Sequence, residues 1–129
     1  MKKILIVDDE KDIRFILEEI LNEHKYHVIT VGTIKEAEQF INKNSFDLAL
    51  LDVLLDEKSR DGLYLLNLIK NKNKDLPVIM MSGHANIQIA VNSVKDGAFE
   101  FLEKPFNQER LLNFIKRGIE YSELLNTKT

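Results

Sequence analysis

Ile4-Leu5-Ile6-Val7 runs into Asp8-Asp9, Leu48-Ala49-Leu50-Leu51 into Asp52, Val78-Ile79-Met80-Met81 into Ser82, and the segment from Phe99 to Glu103 into Lys104-Pro105. Each is a short apolar run of strand length that ends in a polar residue of a different chemical type. Between the runs the periodicity changes to that of helices, a pattern expected of repeated βαβ units and a parallel sheet. In an open sheet of that kind the carboxyl ends of the strands share one edge, and ligands bind along it. That edge would then hold three carboxylates, a hydroxyl and an ammonium.

Working outward, five such units fit. Ile13, Ile16, Leu17, Ile20 and Leu21 form an apolar stripe that predicts a helix over residues 12–23, and His27 to Val31 reads as the second strand. Thr33 and Glu36 match the capping-box pattern at the start of a second helix carrying Ile34, Ala37, Phe40 and Ile41. The third strand is expected over 47–51, the third helix over 62–71 after a polar loop, and the fourth strand after Pro77. A fourth helix over 86–96 should stop at Gly97, the residue best suited to a left-handed C-terminal position. The fifth strand is expected over 98–103, and Asn107 should cap a last helix reaching about Tyr121. Residues 1–122 are expected to form one domain, with 123–129 a tail or the beginning of a linker.

Composition limits the function classes. The 129 residues, 44% of them hydrophobic, suit a single core that buries roughly two-thirds of the unfolded chain's surface. With 18 basic against 21 acidic residues the formal charge is -3, and no basic stripe is present, which argues against nucleic-acid or anionic-lipid binding by this domain. Cysteine is absent, so disulfides and thiolate metal sites are excluded. No apolar run approaches a membrane span or the core of a signal peptide, and a cytoplasmic location is expected. His24, His27 and His84 share no metal-ligand spacing.

The chemistry of the edge follows from its charges. Two like charges about 4 Å apart repel by about 4 kcal/mol at an effective dielectric near 20, so Asp8, Asp9 and Asp52 brought together need compensation. A hard divalent cation supplies it, and an all-oxygen site suits Mg2+. A cation, an ammonium and a hydroxyl around a carboxylate are the parts that stabilise a phosphoryl group in transfer. Asp52, alone after the middle strand, is the expected nucleophile, and the Asp8-Asp9 pair is expected to hold metal. Taken singly, an Asp-Asp pair is a common helix N-terminal bias and a lone polar residue at a strand end is commonly just solvated. Their joint occurrence on four of five strands favours the functional reading.

These residues closely resemble the receiver domains of bacterial two-component response regulators. The resemblance covers nearly the whole chain: Ile-Leu-Ile-Val-Asp8-Asp9-Glu10, Asp47 to Asp52, Met81-Ser82-Gly83, Gly97-Ala98, and Phe101-Leu102-Glu103-Lys104-Pro105-Phe106. It implies a doubly wound, flavodoxin-like five-stranded parallel sheet of order 2-1-3-4-5 with five helices. It implies that Asp52 accepts a phosphoryl group from a sensor histidine kinase, that Asp8, Asp9, Asp52 and the Leu54 carbonyl bind Mg2+, and that Ser82 and Lys104 contact the phosphoryl oxygens. Phe101 takes the family's aromatic switch position, and Lys104-Pro105 its cis peptide. The domain would promote its own phosphorylation and dephosphorylation without being an enzyme in the ordinary sense.

The chain departs from the family pattern after the acceptor. Asp56 stands where most receivers have proline, and Asp61-Gly62 comes two residues later than usual. This longer loop, with the 81–87 and 103–106 segments, most resembles the nitrogen-regulation NtrX branch of the NtrC-type regulators, whose receiver precedes an AAA+ ATPase domain and a DNA-binding domain and acts in transcription regulation. A stand-alone receiver serving as a relay intermediate or protein-binding module is the alternative. Asp56 and Glu57 are expected to be solvated, and His84 to be solvated or to affect water access. On the fourth helix Ile87, Ala90, Val91 and Val94 are expected to be buried, leaving Ile89 exposed. Phe114 lies off the main apolar face of the last helix, so Ile89 and Phe114 together point to a homodimer contact on the fourth helix, fifth strand and fifth helix.

Two other enzyme classes fit less well. A dinucleotide oxidoreductase needs a glycine-rich turn after the first strand, and Asp8 to Asp12 has none. The comparable phosphatases need a second aspartate two residues after the nucleophile, where this chain has Leu54.

Overall fold

The computed structural model describes residues 1–55, 61–83 and 87–126. Five strands alternate with five helices: β1 Lys3–Val7, α1 Lys11–Glu23, β2 His27–Val31, α2 Ile34–Lys43, β3 Leu48–Asp52, α3 Gly62–Lys72, β4 Val78–Ser82, α4 Ile87–Lys95, β5 Glu100–Glu103 and α5 Gln108–Asn126. All neighbouring strands are parallel, in the order β2-β1-β3-β4-β5. The chain reverses its winding between β1 and β3, so their carboxyl ends border the crevice where such sheets bind ligands.

The continuous apolar runs of β1, β3 and β4 are explained by burial on both faces. Because side chains alternate along a strand, successive residues enter opposite cores. Leu5, Val7, Ala49, Leu51, Val78 and Met80 pack with Ile34, Ala37 and Ile41 of α2 and Leu65, Leu66 and Ile69 of α3. Ile4, Ile6, Leu48, Leu50, Ile79 and Met81 pack with Leu17 and Leu21 of α1 and Leu111, Ile115 and Ile119 of α5. The rigid centre of the sheet therefore fixes the positions of the residues that follow β1 and β3.

Local signals explain most element ends. The Thr33 hydroxyl accepts the Glu36 N–H at 3.1 Å, and the Glu36 carboxylate accepts from the Gly32 N–H and the Thr33 hydroxyl, both at 3.2 Å. Thr33→Ala is expected to lower stability by about 1 kcal/mol, read as a shift in urea midpoint without a change in slope. Asn107 Oδ1 accepts the Arg110 N–H at the start of α5. Gly97, at φ 104°, ends α4 in the left-handed region.

Several boundaries differ from expectation. The third strand is displaced by one residue, because Asp47 accepts the Lys3 N–H with its side chain while Asp52 pairs with Met81 inside the ladder. The fifth strand starts at Glu100, since the Ala98 N–H is taken by Ser93 at the end of α4. Residues 123–126, expected as tail, continue α5, and Glu123 forms an exposed ion pair with Lys2 at 3.1 Å.

The expected phase of the fourth helix is wrong. Ile89 is half-buried against the first core cluster, whereas Val91 and Val94 are 41% and 58% exposed. Ser93 is fully buried, and its hydroxyl satisfies itself on the Ile89 carbonyl at 2.9 Å. A serine that bonds its own helix can occupy a core position, which reverses the face that apolar counting selects. Phe114 is likewise half-buried against the second cluster, with the Arg117 guanidinium 5.5 Å from its ring centre. The expectations for Asp56, Glu57 and His84, and the helix start at Asn86, lie outside the described residues.

Candidate functional site

Asp8 continues the β1 ladder by donating its N–H to Val31, and it is completely buried. Its Oδ1 accepts the Glu10 N–H at 2.8 Å, and its Oδ2 takes the Lys104 ammonium at 2.7 Å. Asp52, at the end of β3 and 4% exposed, accepts the Leu54 N–H at 3.2 Å on Oδ1 and Lys104 Nζ at 3.3 Å on Oδ2. One ammonium thus bridges two buried carboxylates that are 44 residues apart in the chain. Lys104 is anchored by donating its backbone N–H to the Ser82 carbonyl at 2.9 Å, and its peptide bond to Pro105 is cis.

The charges do not balance. Burial, and then the nearby Asp8 carboxylate, push the Asp52 carboxyl up to about 6 even though Lys104 and the Leu54 N–H pull it down. For Lys104, burial lowers the ammonium's pKa, but the hydrogen bond it donates to Asp8 and the charges of Asp52 and Asp8 outweigh it and hold the group above its ordinary value. Ion pairing with one lysine therefore leaves Asp52 under-compensated.

Asp8, Asp9 and Glu10 bring carboxylate oxygens within 4.8 Å of one another, and Glu10 also approaches Lys104 at 3.8 Å. Among the described residues, Asp8, Glu10 and Asp52 all approach the Lys104 ammonium, and Asp9 lies beside Asp8 and Glu10. A cluster of hard oxygen donors with uncompensated negative charge fits a small divalent cation. Glu10 is the acidic residue that sequence reasoning left without a role, although its place directly after Asp8-Asp9 was the available signal.

Ser82 is fully buried at the end of β4, paired in the ladder with Glu103, so β4 and β5 bring Ser82 and Lys104 to the same edge as Asp52. Phe101 sits on β5 opposite Met80, half-buried against the first core cluster. Leu54, whose backbone N–H holds Asp52, leaves its side chain 47% exposed. Ile89 and Phe114 belong to α4 and α5, outside this convergence.

Gly62 supplies a feature that residue-type reasoning does not reveal. A Cβ on Gly62 would lie 2.1 Å from the Asp52 carbonyl oxygen and 2.9 Å from Val53 Cα. The first turn of α3 thus rests directly on the backbone of the Asp52 strand end, and Asp61 caps that turn by accepting the Leu63 and Tyr64 N–H groups.

Among the described residues, no helix is long and apolar enough to cross a membrane. Residues 4–116 match the family model of the response regulator receiver domain. The nitrogen assimilation regulatory protein NtrX of Azorhizobium caulinodans is 42% identical over 117 residues, which is 91% of this chain and 26% of that protein. The chain spans about a quarter of the length of the curated relatives it matches. The crystal structure of NtrX from Brucella abortus in complex with ADP superimposes with a TM-score of 0.91 at 40% identity, covering 98% of this chain and 29% of that one. The solution structure of the beryllofluoride-activated NtrC4 receiver domain dimer gives a TM-score of 0.87 at 42% identity, covering 95% of this chain and 99% of that one. With the 2-1-3-4-5 sheet and the carboxylate and lysine edge on the same chain, these likenesses show that it belongs to the response regulator receiver domain family.

Proposed function

We propose that Asp52 accepts a phosphoryl group from the phosphohistidine of a sensor histidine kinase, and that the acyl phosphate changes the α4, β5 and α5 surface to control output. The observation that carries this reading is a buried, under-compensated carboxylate at the switch point of the sheet, with an ammonium 3.3 Å away. In the transfer an Asp52 oxygen bonds to phosphorus as the P–N bond breaks. The electron pair stays on the departing imidazole, which takes a proton from solvent.

Lys104 supplies fixed positive charge next to the incoming oxygens and needs little reorganisation to do so, because Asp8 already holds it. Asp8, Asp9, Asp52 and the Leu54 carbonyl are the proposed Mg2+ ligands, with Glu10 beside them. Bound Mg2+ would supply neutralisation of charge on the transferring group. The Ser82 hydroxyl is proposed to move onto a phosphoryl oxygen and Phe101 to turn into the space released. The output is proposed to be a dimer with a second copy, which the likeness to the NtrC4 receiver domain dimer supports, and α4, β5 and α5 are proposed as its face. Among the described side chains of α4, the exposed apolar ones available for it are Val91 and Val94. In a longer NtrX-like protein in the cytoplasm this switch would regulate transcription.

Incubation with acetyl phosphate and Mg2+ should add one phosphoryl mass to the intact wild-type protein and none to Asp52→Ala. Equal labelling of both proteins would remove Asp52 from the role. Sustained turnover of a generic phosphoester would favour a phosphatase instead.

A further inference from the structure

The reading of Asp8 and Asp9 as cation ligands leaves open what holds the peptide that joins them. Asp8 N–H is bound to Val31, and the Asp8 carboxylate is held by the Glu10 N–H and Lys104. The remaining polar group of this fully buried residue is its carbonyl, and Arg14 Nη1 donates to it at 2.6 Å. That is a short, charge-assisted bond. The Asp8 carbonyl lies in the same rigid plane as the Asp9 nitrogen, so fixing it sets the direction in which Asp9 leaves the strand.

Gly32 also shapes the space around the guanidinium. Arg14 lies over Gly32, where a Cβ would come within 2.8 Å of Nη1 and 3.2 Å of Cζ. Gly32 is itself held in place, because its N–H donates to Glu36, the residue that completes the α2 cap. Arg14 therefore contacts both the Asp8 carbonyl and a loop without a side chain at the contact point, and α1 adds to the β1 ladder a second hold on the Asp8–Asp9 peptide.

We propose that Arg14 is a positioning residue for the divalent-cation site, holding the Asp8–Asp9 peptide so that both carboxylates face the ion, with Gly32 as the space that admits it. The inference rests on the assignment of those carboxylates to Mg2+. It predicts the opposite of simple electrostatics. Removing a positive charge beside an acidic cluster should tighten cation binding, whereas loss of positioning should weaken it. Groups that orient metal ligands from behind typically change affinity about 10–100-fold when removed.

Mg2+ titration followed by calorimetry, and by the midpoint of thermal unfolding, tests this without phosphorylation. Arg14→Met should need at least about tenfold more Mg2+ for half-saturation than wild type. Arg14→Lys should recover part of the affinity. Gly32→Ala, which keeps the charge but displaces the guanidinium, should weaken binding in the same direction. A role in stability alone would lower the unfolding midpoint equally with and without Mg2+ and leave half-saturation unmoved, and that outcome, or tighter binding by Arg14→Met, overturns the proposal. If Arg14→Met does not fold, Gly32→Ala and Arg14→Lys decide on the same criterion. Absence of any saturable Mg2+ response in wild type would overturn the cation assignment itself, and the positioning role with it.

Discussion

Gly62→Ala should destabilise the protein by at least about 3 kcal/mol and slow phosphorylation of Asp52 together with it. The added methyl would stand 2.1 Å from the Asp52 carbonyl oxygen and 2.8 Å from its carbonyl carbon, distances that no rotamer change relieves because its three nearest neighbours are all backbone atoms. Either the first turn of α3 or the end of β3 must move. Moving α3 breaks the 2.9 Å bond from Gly62 N–H to the Val53 carbonyl and loosens Leu65, Leu66 and Ile69 from the core. Moving β3 displaces Asp52 from Lys104 and from the Leu54 N–H. Urea unfolding reports the first consequence, and the rate of mass gain with acetyl phosphate the second. A variant within about 0.5 kcal/mol of wild type that phosphorylates normally would show that α3 does not bear on the acceptor backbone.

In metal-free buffer, Asp52→Asn should stabilise the fold above pH 6, by up to about 3 kcal/mol, and the gain should vanish below about pH 4. The sign follows from the Asp52 carboxyl, which rises from 3.8 to about 6 on folding because of burial and then Asp8. Below 3.8 both states hold the proton and the group contributes nothing. Between 3.8 and about 6 the unfolded chain ionises first, so wild-type stability falls as pH rises; above 6 the loss is complete. Asparagine removes the charge and keeps one acceptor oxygen, for Lys104 or for the Leu54 N–H but not both, so about 3 kcal/mol is the upper limit of the gain. Chemical denaturation across pH 3.5 to 8 in the presence of a chelator measures the difference. A destabilised Asp52→Asn at pH 7.5 would mean that its ion pair with Lys104 outweighs burial and repulsion. Saturating Mg2+ should reduce the contrast, since a bound cation compensates wild type alone.

The layout of the sheet was legible because the strands of a parallel sheet buried on both faces are nearly uninterrupted apolar runs. Their polar ends, Asp8, Asp52, Ser82 and Lys104, then mark the functional edge by position. Less legible were contacts that residue type does not encode. The bond from Arg14 to a main-chain carbonyl, and the demand at Gly62 for an absent side chain, depend on how α1 and α3 approach the strand ends. The α4 face was misread for a related reason. Apolar periodicity assumes that serine faces water, but Ser93 buries itself by bonding Ile89, which brings Ile89 inward and turns Val91 and Val94 outward. Glu10 lacked a role because two acidic neighbours already satisfied the expected ligand count.

The central claim concerns one atom position, an acyl phosphate on the Asp52 side chain, and borohydride tests it directly because it reduces an acyl phosphate to the alcohol. Protein treated with acetyl phosphate and Mg2+, reduced and mapped by peptide mass should carry homoserine at position 52 and unmodified aspartate at positions 8 and 9. Homoserine at Asp8 or Asp9, or none in a sample that has gained phosphoryl mass, would contradict the account.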